Sequence, residues 1–221
     1  MNTDDLNKLV ENLPEVPGIL RKDEFFNSAV IIPFIFIDGE YYLLFEKRAA
    51  TIRQGGEICF PGGEYDPKLD KNFTETAVRE TVEELGIEIT KIKILGILDT
   101  LIGPMGVTVD SCIGTLDIKS IDELDFDKSE VEDVFMIPVS WFENNPPEEY
   151  FVQLVVHPHY TDEKGNVVQL LPSQELELPD KYNRPWRAGK RKIYVYKLKE
   201  GVLWGLTAAL VREVTNRLKS R

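Results

Sequence analysis

The stretch that most limits how this chain can fold is Phe60-Pro61-Gly62-Gly63-Glu64-Tyr65-Asp66-Pro67-Lys68-Leu69-Asp70, which runs almost directly into Thr74 to Ile87. It predicts a tight loop feeding a short helix. Asn72 or Thr74 can cap the helix start, Glu75 follows Asn72 by three residues in the manner of a capping box, and Gly86 falls where a left-handed residue ends a helix. At about 100° per residue, Val78, Val82 and Leu85 share one narrow face of some three turns. Glu80, Glu83 and Glu84 lie within an arc of roughly 100° on the opposite side. One face is expected to pack while the other gathers charge.

Like charges at i,i+3 and i,i+4 cost roughly 0.2–0.5 kcal/mol per pair, and Arg79, four residues before Glu83, is the nearby counter-charge. A divalent cation would relieve the rest. Carboxylate oxygens suit hard ions, and Mg²⁺ is commonly held by one or two carboxylates together with substrate phosphates. An acidic helix taken alone is more often simply solvated. The Gly62-Gly63 loop combined with the Arg79-Glu80-x-x-Glu83-Glu84-x-Gly86 spacing favours the ion.

Residues Arg79-Glu80-Thr81-Val82-Glu83-Glu84-Leu85-Gly86-Ile87 resemble the core of the Nudix box, G-x5-E-x7-R-E-U-x-E-E-x-G-U with U aliphatic. Two departures stand out. Gly63 is followed by fifteen residues before Arg79 where the pattern has thirteen, so the first Glu has no direct counterpart and Asp70 is its nearest candidate. Thr81 occupies a position that is usually aliphatic. The long Asp66-Pro67-Lys68-Leu69-Asp70 loop is similar to that of the coenzyme A pyrophosphatases, one branch of the family. That branch also carries an upstream segment resembling Leu43 to Arg48 and then Arg53-Gln54-Gly55-Gly56-Glu57-Ile58-Cys59-Phe60-Pro61-Gly62-Gly63.

A chain of 221 residues is expected to form a single domain with insertions. Its 43% hydrophobic residues suffice for a core, and a net charge of −12 argues against a nucleic-acid or anionic-membrane surface. Neither Cys59 nor Cys112 is expected to be a nucleophile or a disulfide half. Met1 to Asp5 leads into no apolar run of the secretory kind, and Ala29 to Ile37, broken by Pro33, is too short to span a bilayer, so a cytoplasmic setting is expected.

Residues 1–27 read as a polar covering segment with a helical turn or two around Leu6, Leu9, Val10 and Leu13. Ala29–Phe36 and Tyr41–Phe45 are predicted strands, with Asp38-Gly39 as a hairpin turn. Arg48 and Arg53 follow in a loop, then a short strand from Glu57 to Phe60. Beyond the helix, Lys91–Thr100 and Val107–Leu116 alternate as strands around a turn at Gly103-Pro104-Met105-Gly106. The acidic stretch from Ser120 to Glu132 reads as a solvated loop leading to a strand at Val134–Val139 and a short helix at Ser140–Glu143. Residues from about 144 to 189 read as an insertion with a strand near Phe151–Val156. His157-Pro158-His159 there is read as a surface turn rather than a metal motif. Arg184, Arg187, Lys190, Arg191 and Lys192 form the one basic concentration and could meet a substrate's distal phosphate or stay solvated. A strand at Ile193–Leu198 and a helix at Leu203–Leu218, with Leu206, Leu210, Val214 and Leu218 on one stripe, close the chain.

The resemblance spans roughly residues 28–218. It implies an α/β Nudix fold, an α/β/α sandwich around a mixed β-sheet, as one domain over 28–221. It further implies metal-dependent hydrolysis of coenzyme A or acyl-CoA to 3′,5′-ADP and (acyl-)4′-phosphopantetheine. On that basis Gly63, Glu80, Glu83 and Glu84 would hold Mg²⁺ or Mn²⁺, with Asp70 a further outer ligand. Glu83, Glu84, Arg79 and Glu130 would serve catalysis, Arg79 orienting Glu83 and Glu130 acting as auxiliary ligand or general base. Arg48, Arg53, Gly62 and Gly63 would meet the substrate. ADP-ribose, a dinucleoside polyphosphate, or a non-catalytic nucleotide sensor remain alternatives, and a homodimer is an open possibility.

Overall fold

A computed structural model describes residues 2–104 and 106–219. In chain order the elements begin with α1 (Thr3–Glu11), β1 (Phe26–Ile37), β2 (Glu40–Arg48), β3 (Ile58–Cys59), β4 (Gly62–Glu64) and α2 (Phe73–Leu85). There follow β5 (Ile92–Ile97), β6 (Leu101–Gly103), β7 (Val107–Leu116), β8 (Val131–Pro138) and α3 (Val139–Asn144). The chain ends in β9 (Glu148–Val156), β10 (His159–Thr161), β11 (Val167–Gln169), β12 (Trp186–Lys197), β13 (Val202–Trp204) and α4 (Gly205–Lys219). Met105, in the predicted turn at 103–106, lies outside the described residues. The residues divide into two compact units, the first built from 1–35 and 60–127, the second from 36–59 and 128–221.

The first unit centres on β1, which pairs in parallel with β7 and antiparallel with β4, while β5 and β6 pair antiparallel with β7. Parallel and antiparallel ladders meeting on one strand make the mixed sheet that the resemblance implied. Ala29, Ile31 and Ala77, all fully buried, join this sheet to α2, with Phe73, Val78, Ile92 and Ile94 packed around them. Helix α1 forms where the spacing of Leu6, Leu9 and Val10 placed it, capped by Asn2, yet buries no residue. Those three side chains stay 45, 53 and 58% exposed, so α1 covers no edge with its apolar stripe.

In the second unit β2 pairs antiparallel with β3 and β8, and β12 pairs antiparallel with β9 and β13. Asp38 and Gly39 adopt positive φ, 51° and 89°, as a tight two-residue turn between strands demands. Phe45 stacks on Phe135 at 5.8 Å, and Phe142 meets Phe45 and, edge-on, Tyr196. Burial pushes the Tyr196 phenol up to about 12. Two sequence expectations shift here. Strand β12 starts at Trp186 rather than Ile193, so the basic Arg187, Lys190, Arg191 and Lys192, expected ahead of the strand, lie on it. The buried stripe of α4 is Ala208, Leu210, Val211 and Val214, leaving Leu218 45% exposed.

Candidate active site

The glycine loop and α2, both in the first unit, are joined by short-range contacts that only small residues allow. Gly62 has φ 148°, and a Cβ there would lie 2.2 Å from the Ala29 carbonyl oxygen, so the loop hugs β1 as no other residue could. A Cβ on Gly63 would stand 2.3 Å from Cδ of Glu80. The space that Gly63 leaves empty is filled by the Glu80 carboxylate. Alongside it, the Gly62 N–H donates to Oε2 of Glu84 at 2.8 Å. Loop and helix are therefore locked through two of the three glutamates.

Helix α2 starts where Asn72 Oδ1 accepts the Glu75 N–H at 3.0 Å, and ends at Gly86 with φ 61°. The Glu75 carboxylate accepts from the Lys71 N–H instead of closing a full box on Asn72. The helix face differs from the sequence expectation. Its buried stripe is Ala77, Thr81, Glu84 and Leu85, flanked by Thr76, while Val78 and Val82 are only half-buried. Glu84, 4% exposed, sits inside that stripe rather than on a solvated face. Thr81 can replace the usual aliphatic residue because its hydroxyl donates to the Ala77 carbonyl at 2.6 Å and leaves its methyl to the core.

Arg79 organises the exposed side. Its Nε and Nη2 donate to the two oxygens of Asp70 at 3.0 and 2.8 Å, and its Nη1 donates to Glu80 at 2.8 Å and to Glu83 at 3.0 Å. Thr76 adds a hydroxyl donor to Asp70 at 3.0 Å. The guanidinium fork holds the Asp70 carboxyl below its usual range, and the same pairing raises Arg79. Asp70 thus takes the place on Arg79 that the lengthened spacing left open. Both its oxygens accept hydrogen bonds from this pair of residues, Oδ1 from Arg79 and Oδ2 from Arg79 and Thr76. Thr76, fully buried, was missed in the sequence; its position six residues after Asp70 and three before Arg79 was the available signal.

Among the described residues, no three His, Cys, Asp or Glu side chains converge tightly enough to enclose a metal ion in this arrangement. The donor set nonetheless fits a hard cation. Glu80 fills the Gly63 hollow, Glu84 is anchored next to it, and Glu83 is ion-paired to the guanidinium that holds Glu80. All are oxygen donors of the type that Mg²⁺ and Mn²⁺ prefer.

The second unit carries the other predicted site residues. Arg48 ends β2, its Nε donating to the Arg53 carbonyl at 3.2 Å, while its carbonyl accepts the Gly56 N–H. The loop is tight because a Cβ on Gly55 would stand 2.6 Å from the Ala50 carbonyl oxygen. Arg53 is exposed on that loop. Glu130 lies exposed in the turn before β8, its carbonyl accepting the Ala49 N–H at 2.8 Å. Glu46, 1% exposed, is a buried carboxylate that the sequence reading passed over; it accepts the Cys59 thiol at 3.2 Å. No helix among the described residues is long and apolar enough to cross a membrane.

Residues 26–155 match the NUDIX domain. The chain is 36% identical to Nudix hydrolase 3 of Caenorhabditis elegans over 60% of its own length and 58% of that protein's. It is 28% identical to the uncharacterized Nudix hydrolase NudL of Photorhabdus laumondii over 98% of this chain and 97% of the relative. It is 33% identical to a peroxisomal coenzyme A diphosphatase of Mus musculus over 52% of this chain and 48% of that one. The chain therefore spans just over half the length of the first of these relatives and about half of the third. With its glycine loop, its Arg79 network and its glutamate helix assembled in one unit, and the domain matched over more than half its residues, the chain belongs to the Nudix family of hydrolases.

Proposed function

We propose that this chain hydrolyses the pyrophosphate of coenzyme A or an acyl-CoA, giving 3′,5′-ADP and (acyl-)4′-phosphopantetheine, with Mg²⁺ or Mn²⁺ held by Glu80, Glu83, Glu84 and the Gly63 backbone. The observation that carries the hydrolytic part is the seating of the Glu80 carboxylate in the hollow of Gly63 beside the anchored Glu84. The choice of coenzyme A is supported by the segment Arg53 to Gly63 and by relatives named coenzyme A diphosphatases. Bound metal supplies charge neutralisation on the pyrophosphate and a lowered pKa for an attacking water.

The chain's own residues do the positioning. Asp70 and Thr76 fix the guanidinium of Arg79 through its Nε and Nη2 edge, while Nη1 presents Glu80 and Glu83 together. Those two carboxylates can exchange Arg79 for a cation without unseating the guanidinium. Gly62 keeps Glu84 from rotating away by donating its N–H. Arg48 and Arg53 are assigned to substrate phosphate and Glu130 to the proton of the attacking water through the resemblance, and substitution tests each.

The deciding experiment incubates the purified chain with Mg²⁺ or Mn²⁺ and, separately, coenzyme A, ADP-ribose and diadenosine polyphosphates, and separates the products by chromatography. Metal-dependent release of 3′,5′-ADP from coenzyme A is the expected result. Cleavage of another compound in preference removes the coenzyme A assignment and keeps the site. No cleavage of any of them moves the non-catalytic nucleotide sensor to the front.

A further inference from the structure

In the second unit, β9 and β12 form a long antiparallel ribbon, paired from Trp186 against Val156 to Val195 against Glu148. Much of it is bare on both faces. Tyr150, Phe151, Val152, Val155 and Val156 are 50, 61, 44, 43 and 40% exposed, and Arg187 to Lys192 opposite them are exposed too. Two strands without a covered face are marginal in water. Something is needed over this apolar surface.

The two edges of the ribbon are treated differently. Strand β13 covers β12 only from Val195 to Lys197, so the rest of that edge is open among the described residues. It is defended by Arg187, Lys190, Arg191 and Lys192 and by a bulge between Arg187 and Gly189. Charged side chains and bulges are the usual means of blocking edge-to-edge pairing. Strand β9 is the other edge, and its run Tyr150-Phe151-Val152-Gln153-Leu154-Val155-Val156 has no charge and no proline. An undefended apolar edge beside a defended one points to use.

We infer that the β9 edge pairs antiparallel with β9 of a second copy of this chain, joining two three-stranded sheets into one of six strands about a two-fold axis at Gln153. The run is self-complementary about that residue. Tyr150 meets Val156 of the second copy, Phe151 meets Val155 and Val152 meets Leu154, each an apolar pair, while the Gln153 amides face one another and can exchange hydrogen bonds. A slip of one residue would set Gln153 against an apolar side chain and break this match. The basic strands do not oppose this pairing. Each β12 lies three strand spacings from the other, about 14 Å, which exceeds the screening length of about 8 Å at physiological salt. Across the axis this register gives six apolar cross-strand pairs packed flank to flank, together with the backbone hydrogen bonds of the new ladder.

Sedimentation velocity and light scattering on the full chain at micromolar concentration test this. The expected particle has twice the 25.3 kDa chain mass. Gln153→Lys sets like charges across the axis on an exposed position, and is expected to abolish the dimer with an unchanged far-UV spectrum and melting temperature. Gln153→Cys is expected to give a covalent dimer under mild oxidation, because directly opposed residues in an antiparallel pair fall within disulfide reach. Glu163→Cys, exposed in the turn between β10 and β11 and outside the paired run, should give none. A monomeric wild-type chain, a dimer indifferent to Gln153→Lys, or cross-linking through position 163 in place of 153 overturns the assignment.

Discussion

The glycine loop with α2 and the β9–β12 ribbon depart from the usual distribution of polar and apolar groups in opposite directions. In the first, Asp70, Thr76, Thr81 and Glu84 are 4, 0, 0 and 4% exposed. In the second, large apolar side chains such as Phe151 stand 61% exposed. Buried polar groups and exposed apolar patches are the informative exceptions to ordinary burial. They differ in what holds them. Each buried polar side chain of the first region has a named partner within 3.0 Å, so desolvation is offset bond by bond and one arrangement is selected. The ribbon's apolar side chains are held by far less of their own chain. The first region should therefore be intolerant of change in the isolated molecule, and the second tolerant.

The largest expected effect is on turnover. Glu83→Gln or Glu84→Gln should lower kcat by on the order of 10²-fold or more with the far-UV spectrum unchanged, as for carboxylates that serve metal chemistry. Near-normal kcat would reduce them to structural groups. Next comes Gly62→Ala, whose methyl meets the Ala29 carbonyl in a backbone conformation that disfavours a side chain. A loss of about 2–3 kcal/mol in urea unfolding is expected.

Asp70→Asn should cost about 2 kcal/mol by leaving the Arg79 fork against a neutral partner. The same pair has a pH dependence of definite sign. Because the folded carboxyl titrates below its ordinary value near 3.8, its stabilisation is complete above that pH and is lost as pH falls toward the lower folded value. Acid unfolding of the wild type should therefore steepen below about pH 4, and Asp70→Asn should flatten it. Arg53→Ala is expected to raise KM severalfold with little change in kcat if it binds ground-state phosphate. An unchanged KM would leave it as a solvated loop residue. The smallest effect belongs to the ribbon: Phe151→Ser should alter monomer stability by no more than about 0.5 kcal/mol, measured at dilution. A larger loss would mean that the ribbon is held within its own chain after all.

Much of the first region was legible in the sequence because its rules are local. The Asn72 cap, the Gly86 end and the Arg79–Glu83 contact each depend on residues at most four apart, and all appear as expected. The face that α2 buries was not legible. Counting apolar residues selected Val78, Val82 and Leu85; Leu85 is fully buried, but Val78 and Val82 are only half-buried while Ala77, Thr81 and Glu84 go under, because a hydroxyl bonded to its own helix and a carboxylate bonded to a loop N–H lose their polar cost on burial. Strand β12 was cut short for the converse reason. Arg187, Lys190, Arg191 and Lys192 read as a basic cluster ahead of the strand, yet a ribbon exposed on both faces accepts charge without desolvating it.

The sequence by itself determined the family, the carboxylate helix and the glycine loop before it, since short spacings and backbone freedom are properties of neighbouring residues. Only the tertiary structure decided that Asp70 belongs to Arg79, that Glu80 fills the hollow of Gly63, and that one ribbon edge is defended while the other is bare. Those facts depend on which distant segments come to lie side by side, and burial, desolvation and strand pairing exist only once they do.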